Sequence, residues 1–221
     1  MFYSLSRAGF LSALAGALFA FAAPGAHATA NPEAEAYVQQ GGGAALASLS
    51  NPSLSRDARG REFAELMARF ADAPRIANFV LGRYGAALRA DPALNAQWVS
   101  TFQAYMIAVY EDNLDRYRGS TLAVTGSIER VPGRDAVVRS ELRGVNGGGT
   151  QPMQWRLLKT AAGWKVVDVS LVLDGNEVWL AQQQQRNFLA ELDRNRGDVR
   201  ALIESVRQTT TQLRTRIAAR P

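Results

Sequence analysis

The sequence predicts an α+β protein, because the spacing of its apolar residues changes twice along the chain. Residues 31–118 repeat apolar positions with a period near 3.6, which is typical of helices. Residues 120–170 alternate apolar and polar side chains, which is typical of strands with one buried face. Residues 177–217 return to the helical period. We therefore predict several helices, a four-stranded antiparallel sheet and a set of C-terminal helices.

The first 28 residues have the pattern of a signal peptide. Arg7 precedes an almost unbroken apolar run from Ala8 to Ala23. This run has about 16 residues, fewer than the roughly 20 that a membrane-spanning helix needs. We expect cleavage after Ala28, or after Ala30, where the small residues suit a signal peptidase equally well. The sequence thus predicts an exported protein with one domain, residues 29–221; an uncleaved N-terminal anchor is the alternative.

Four helices are predicted in the first half of the chain, and the fourth is the clearest. Asn31 and Pro32 suit the cap and first position of the first helix, but Gly41–Gly43 should weaken or break it. Asp91 and Pro92 begin the fourth helix in the same way. Apolar residues cover more than the usual arc of this helix, which implies burial on two sides. One face carries Leu94, Trp98, Phe102, Met106 and Val109.

The composition excludes most catalytic chemistry. The chain has no Cys, and its only histidine, His27, lies in the segment expected to be removed. The mature chain would then lack the residues that most metal sites and nucleophile–base pairs use. We therefore expect no enzyme activity, no metal and no cofactor. Asp168 is the carboxylate expected to be partly buried, either as a structural hydrogen-bond acceptor or as the base of an enzyme.

The net charge does not predict a nucleic-acid partner. The formal net charge is +5 and the pI is near 10. Basic and acidic residues alternate along most of the chain, however, and export also argues against nucleic acid. A weak preference for anionic lipid surfaces is all that this charge predicts.

Four motifs resemble, in order and spacing, those of one known family. They are Phe79–Tyr84, the aromatic residues between Trp98 and Tyr110, the strand Gly163–Val169, and the segment from Arg186 to Val206. The first resembles an FVLGRYW-like segment, and the third resembles a GxWKVxDV strand. The family is MlaC, the periplasmic phospholipid-binding components also called toluene-tolerance auxiliary proteins. The resemblance covers roughly residues 63–207.

This resemblance implies both a fold and a function. The fold is a curved, nuclear-transport-factor-like sheet with helices and a helical annex that enclose a deep apolar pocket. The function is to hold the acyl chains of a phospholipid in the periplasm. The implied partners are an inner-membrane ABC transporter complex and an outer-membrane lipoprotein assembly, which together serve the lipid asymmetry of the outer membrane. Residues 174–178 replace the usual EGVSL and are more similar to the hopanoid-associated branch, so a hopanoid is an alternative ligand.

Large apolar side chains are the candidates for this pocket, although their spacing does not distinguish a hollow from a filled core. An enzyme with Asp168 as its base, or an interaction module with a solid interior, are the competing hypotheses. A cavity behind the aromatic residues would favour the lipid carrier. The predicted lipid-binding residues are Phe70, Phe79, Trp98, Phe102, Met106, Val138, Trp155 and Trp164.

Overall fold

A computed structural model describes residues 30–51, 53–113, 117, 119–145, 148–173 and 175–219. The predicted signal peptide, residues 1–28, lies outside the described residues. Asp174, in the segment compared with the hopanoid-associated branch, lies outside them too. The described chain forms helices, then a sheet, then helices, which is the predicted α+β order.

Two of the helices before the sheet begin at the predicted caps, Asn31 and Asp91. Asn31 and Asp91 each accept a hydrogen bond from a backbone N–H in the first turn, that of Ala34 at 2.8 Å and that of Leu94 at 3.0 Å. A proline follows each cap, and its fixed φ suits the first helical position. The helices are α1 (Pro32–Ser50), α2 (Arg56–Phe70), α3 (Ala73–Val80), α4 (Gly85–Arg89), which follows a short 3-10 turn at Gly82–Tyr84, and α5 (Pro92–Asp112).

The first helix is not broken at Gly41–Gly43, because α1 is continuous through these residues, and a weakening of the helix there stays a prediction. Gly41 faces the ring of Phe70 on α2, and a Cβ atom at this position would overlap that ring. A Cβ atom at Gly42 would lie 2.6 Å from Cδ2 of Leu122. The missing side chains therefore allow close packing, which offsets the low helix propensity of glycine.

The sheet has five strands, one more than predicted. Their order along the sheet is their order along the chain, and each adjacent pair is antiparallel. Shifts of register near Gly126 and between Arg156 and Leu157 mark irregularities that bend the strands into a curved sheet. The strands are β1 (Thr121–Val131), β2 (Asp135–Val145), β3 (Gly149–Thr160), β4 (Gly163–Leu173) and β5 (Asn176–Trp179).

The fifth strand corrects the predicted start of the C-terminal helices at residue 177. β5 pairs with β4 at the edge of the sheet, with Trp179 opposite Ser170 and Asn176 opposite Leu173. Four residues are too few to show a period of two, so sequence reasoning joined them to the next helix. The two helices that follow are α6 (Leu180–Arg194) and α7 (Val199–Ala218).

Helix α1 covers the first strand and its edge. The side chain of Gln39 donates to the backbone oxygen of Leu122 at 3.0 Å and accepts from the backbone N–H of Val124 at 3.1 Å. These two bonds replace those of a neighbouring strand, so this part of the β1 edge is not left open. The backbone N–H of Asn31 also donates to the hydroxyl of Ser127 at 2.7 Å. Helix α1 is thus held on the sheet along much of its length.

Most of the buried apolar side chains in the described part of the chain form two separate clusters. The sheet cluster joins α1, the end of α2 and the strands, and the helical cluster joins α3, α4, α5, α6 and α7. The sheet cluster includes Val38, Phe70, Leu122, Val138, Leu142, Leu157 and Trp164. The helical cluster includes Val80, Leu81, Trp98, Phe102, Phe188, Leu192, Leu202 and Ile203.

Candidate binding cavity

A cavity of about 400 Å³ lies among α1, α2, α3, α5, α6 and the strands. It lies between the two clusters: Phe70 and Leu122 in its wall belong to the sheet cluster, and Phe102 and Ala181 to the helical cluster. Most of its surface is apolar, as expected of a small-molecule site. Its wall includes Leu46, Phe63, Met67, Phe70, Phe102, Met106, Tyr110, Leu122, Leu142, Met153, Trp155 and Leu180.

Four of the eight predicted lipid-binding residues line this cavity. Phe70 ends α2, Phe102 and Met106 lie one turn apart on α5, and Trp155 lies on β3. The indole N–H of Trp155 donates to the hydroxyl of Ser140 at 2.8 Å, which satisfies its polar atom. The ring of Phe70 meets that of Trp155 edge-on at 5.7 Å. These four side chains form one apolar surface, and their contact with lipid stays a prediction.

The other four predicted residues lie outside the cavity lining. Phe79 is 42% exposed at the surface. Trp98 is fully buried in the helical cluster, where its indole N–H donates to the backbone oxygen of Ala77 at 2.7 Å. Val138 and Trp164 are buried in the sheet cluster. Sequence periodicity identifies such residues as large and apolar but does not distinguish packing against side chains from packing against a cavity.

Asp168 is the only carboxylate among the described residues of the lining. One carboxylate oxygen accepts from the backbone N–H groups of Val169 and Ala181, each at 2.8 Å. Because Ala181 lies in the first turn of α6 and Trp179 supplies no side-chain cap, Asp168 caps this helix from the sheet. Burial raises the pKa of Asp168, while the two backbone bonds and Arg156 act in the opposite direction. This is the structural role that sequence reasoning offered as one alternative.

Polar side chains are concentrated at the α6 side of the cavity. We define the polar end by Tyr105, Gln183 and Gln184, which are all half-buried. The hydroxyl of Tyr105 donates to the side-chain oxygen of Gln184 at 3.5 Å. The exposed Arg186 donates to the side-chain oxygen of Gln183 at 2.5 Å. Several hydrogen-bonding groups therefore lie at this end of the cavity, and an exposed cation is bonded to one of them.

Tyr110 contributes a neutral hydroxyl to the apolar wall. Burial, reinforced by the nearby Asp168 carboxylate, raises the pKa of Tyr110 to about 12. Its ring packs on Phe63 of α2 with 5.7 Å between the ring centres. This contact brings α2 against α5 along one side of the cavity.

Two features are absent among the described residues. No described helix combines the length and the apolar character needed to cross a membrane. No cluster of three or more His, Cys, Asp or Glu side chains suited to a metal ion occurs among the described residues.

The pattern of residues that defines the MlaC protein family matches residues 40–208, more than half of the chain. The chain belongs to the MlaC family. The matched segment contains every residue named above as part of the cavity wall. The cavity is therefore built entirely from the part of the chain that identifies the family.

A solved structure agrees with this assignment. The phospholipid-binding protein from Ralstonia solanacearum, solved in complex with a phospholipid, is 26% identical to this MlaC-family chain. The similarity covers 82% of this chain and 98% of that one, with a TM-score of 0.68. A comparison with curated proteins gave no match.

Several wall residues of this MlaC-family protein escaped sequence reasoning. Met153 shares one face of β3 with Trp155, two residues away, so the period of the strand could have identified it. Leu122 and Leu142 lie opposite each other in the β1–β2 ladder, which only the register reveals. Gly42 gave no signal at all, because a glycine carries no side chain to place.

Proposed function

We propose that this MlaC-family protein binds a phospholipid by its acyl chains and carries it through the periplasm between the inner and outer membranes. The observation that carries the proposal is the apolar cavity between the two clusters. The phospholipid complex of the similar protein from Ralstonia solanacearum supports the same ligand class. Binding and release need no covalent chemistry, and Asp168 is engaged as a helix cap, so the proposed function is not enzymatic.

The size of the cavity suits hydrocarbon chains. An engineered apolar cavity of about 150 Å³ takes up benzene, or about 25 Å³ for each carbon atom. On this scale the cavity of about 400 Å³ holds a chain of roughly sixteen carbons. At about 0.8 kcal/mol for each buried methylene, such a chain gains on the order of 10 kcal/mol by leaving water. A second acyl chain enters if α2 and α5 move apart at the contact of Phe63 with Tyr110.

The polar end suits the head group of such a ligand. Gln183 and Gln184 offer amide groups, and Arg186 offers a guanidinium that can pair with a phosphate. The head group would lie at the surface in contact with water, and the acyl chain would extend along the sheet. This orientation avoids the cost of burying a charged phosphate.

The location and partners are further parts of the proposal. The predicted signal peptide supports export to the periplasm. Membership of the MlaC family supports exchange of lipid with an inner-membrane ABC transporter complex and an outer-membrane lipoprotein assembly. Hydrocarbon chains cross water slowly when unassisted, since each buried methylene resists transfer to water, and a carrier removes this barrier.

Native mass spectrometry of the purified protein tests the proposal. We expect adducts whose masses match phospholipids, released by organic solvent and restored by adding lipid vesicles. A hopanoid adduct would revise the ligand and keep the carrier mechanism. Protein that is free of lipid and takes up none from vesicles would contradict the proposal.

A pair of variants tests whether the lipid occupies the cavity. Met106→Glu places a carboxylate in the apolar wall, where an acyl chain cannot solvate it, so lipid uptake should fall more than tenfold. Phe79→Glu makes the same chemical change at an exposed position outside the cavity and should leave uptake unchanged. Circular dichroism checks that both variants fold. Equal uptake by the two folded variants would place the lipid elsewhere.

A further inference from the structure

The polar end lies on the β4 side of the sheet, and the wall on the β1 side is more apolar. On that side the wall includes Gly42 on α1, Leu122 on β1 and Leu142 on β2, which we call the closed end. All three residues are buried. The polar end lies at α6, which follows β4 and β5. Since neighbouring strands are about 4.8 Å apart, the three spacings from β1 to β4 give the cavity a span of roughly 14 Å across the sheet.

At the position of Gly42, any side chain would reduce the volume of the cavity at its closed end. A Cβ atom there would lie 2.6 Å from Cδ2 of Leu122 and 3.7 Å from the indole ring of Trp155. Both of these side chains also line the cavity. Leu122 can turn aside because its Cδ2 atom ends a flexible side chain, but the new side chain then takes its room from the cavity. A side chain at residue 42 would therefore reduce the space at this end of the cavity.

We infer that Gly42 sets the length of the acyl chain that the cavity accepts. The inference rests on the proposed function, because it takes the ligand to be an acyl lipid with its head group at the polar end. The terminal carbons of the chain lie against Gly42, Leu122 and Leu142. Gly42 is in this sense a specificity-determining residue, which selects ligands by the space that it leaves.

The expected size of the effect follows from volume. Valine at position 42 adds three carbon atoms to the closed end. At about 25 Å³ for each carbon, it removes the space of about three chain carbons. Alanine at the same position removes the space of about one chain carbon. Leu122→Ala acts in the opposite direction and gives room for about three more carbons at the same end.

Gly43 provides a matched control. It is the next residue of the same helix, and a Cβ atom there would meet nothing within 4 Å. Gly42→Val and Gly43→Val change helix propensity in the same way, since both replace a glycine in the interior of α1. Only the first adds atoms at the closed end. A difference between the two variants therefore reports on the cavity.

The experiment measures binding of lysophosphatidylcholines with chains of 10, 12, 14, 16 and 18 carbons to the delipidated full-length mature protein. We expect Gly42→Val to shift the preferred length down by about three carbons, Leu122→Ala to shift it up, and Gly43→Val to leave it unchanged. Gly42→Ala, with an expected shift of about one carbon, replaces the valine variant if that variant does not fold.

Three outcomes would overturn the inference. They are an unchanged preference in folded Gly42 variants, an equal shift in Gly43→Val, and loss of binding at every length by a folded Gly42 variant. The last contradicts it because a shorter cavity still accepts short chains. Wild-type protein that binds no chain of any length would instead contradict the proposed function, so the two failures are distinguishable.

Discussion

At the scale of single residues, the missing side chain of Gly41 allows α1 to pack closely against α2. Phe70, against which Gly41 lies, is itself fixed by the stacked ring of Tyr37, at 5.1 Å, and by Trp155. Phe70 therefore has little freedom to move away from a new methyl group. The close contact depends on glycine at this position.

We predict that Gly41→Ala lowers the free energy of unfolding by about 1–2 kcal/mol. Overpacking against Phe70 costs about 1–3 kcal/mol, and the better helix propensity of alanine returns up to about 1 kcal/mol. Gly43→Ala, which meets no neighbour, should raise the same quantity by about 0.5–1 kcal/mol. Urea unfolding of both variants measures the two changes. Equal changes in the same direction would show that Phe70 does not oppose the alanine.

Asp168 is the second residue whose role can be tested alone. We predict that Asp168→Ala lowers the free energy of unfolding by about 2–3 kcal/mol, because the backbone N–H groups of Val169 and Ala181 lose their acceptor. Asp168→Asn keeps a side-chain oxygen and should lie within about 1 kcal/mol of wild type. Urea unfolding at neutral pH gives both values. A destabilised Asn variant would mean that the negative charge itself stabilises α6.

The same residue predicts a pH dependence. Burial raises the pKa of Asp168 in the folded protein above its ordinary value of 3.8. Between that value and the raised one, the folded state holds a proton that the unfolded state has released, so stability falls as the pH rises. Wild type should therefore lose stability relative to Asp168→Asn as the pH increases from 3.8 through this range. Urea unfolding of both proteins across pH 3.5–7 measures the difference, and parallel curves would contradict a raised pKa.

At the scale of elements, the sequence predicted the helices better than the edge of the sheet. The caps and prolines at Asn31 and Asp91 are local signals that act within one turn, so the starts of α1 and α5 were correct. Strand β5 depends on pairing with β4, which lies outside any local pattern. The continuity of α1 through Gly41–Gly43 also depends on distant contacts, with Phe70 and Leu122. Tertiary packing overrode local propensity at both places.

The junction between α6 and α7 gives a prediction at this scale. Gly197 has φ +81°, and its N–H donates to the backbone oxygen of Leu192 at 2.7 Å, which ends α6. A Cβ atom there would lie 2.6 Å from the ring of Tyr84, whose hydroxyl donates to Asp193 at 2.6 Å. Gly197→Ala should lower the free energy of unfolding by about 2–4 kcal/mol.

Gly163 is the control for this change. It has φ +98° in the turn between β3 and β4, and a Cβ atom there would meet nothing within 4 Å. Gly163→Ala should lower the free energy of unfolding by about 1–2 kcal/mol, which is the cost of the positive φ alone for a residue with a Cβ atom. Thermal and urea unfolding compare the two variants. If they are equally destabilised, the contact with Tyr84 contributes nothing to the junction.

At the scale of the whole molecule, the sequence predicted an apolar pocket through family resemblance but could not place its boundary. Phe102 and Met106 line the cavity, whereas Trp98, on the same predicted face of α5, is buried among helices. A period of 3.6 places all three residues on one face of the helix. Only the positions of the neighbouring elements decide which of them line the cavity and which is buried in the core. A side chain beside a cavity and one in a filled core have the same sequence signal.

We predict that bound lipid stabilises the whole molecule. A ligand that binds only the folded state adds about 4 kcal/mol when its free concentration is a thousand times its dissociation constant. Protein stripped with organic solvent and refolded should therefore unfold at a lower temperature, and added phospholipid should restore the original value. Differential scanning calorimetry measures both steps. Identical melting temperatures with and without lipid would show that no tightly bound ligand occupies the folded protein.

The division of the interior into two clusters has a consequence for unfolding. In the described part of the chain the two clusters have no residue in common, and the cavity has wall residues from both of them. Each cluster can then lose its packing without the other, and we expect stripped protein to show a broad or double heat-absorption peak. A hydrocarbon chain that touches both clusters couples them and sharpens the peak into one cooperative transition. The cargo would then complete the hydrophobic core of its own carrier.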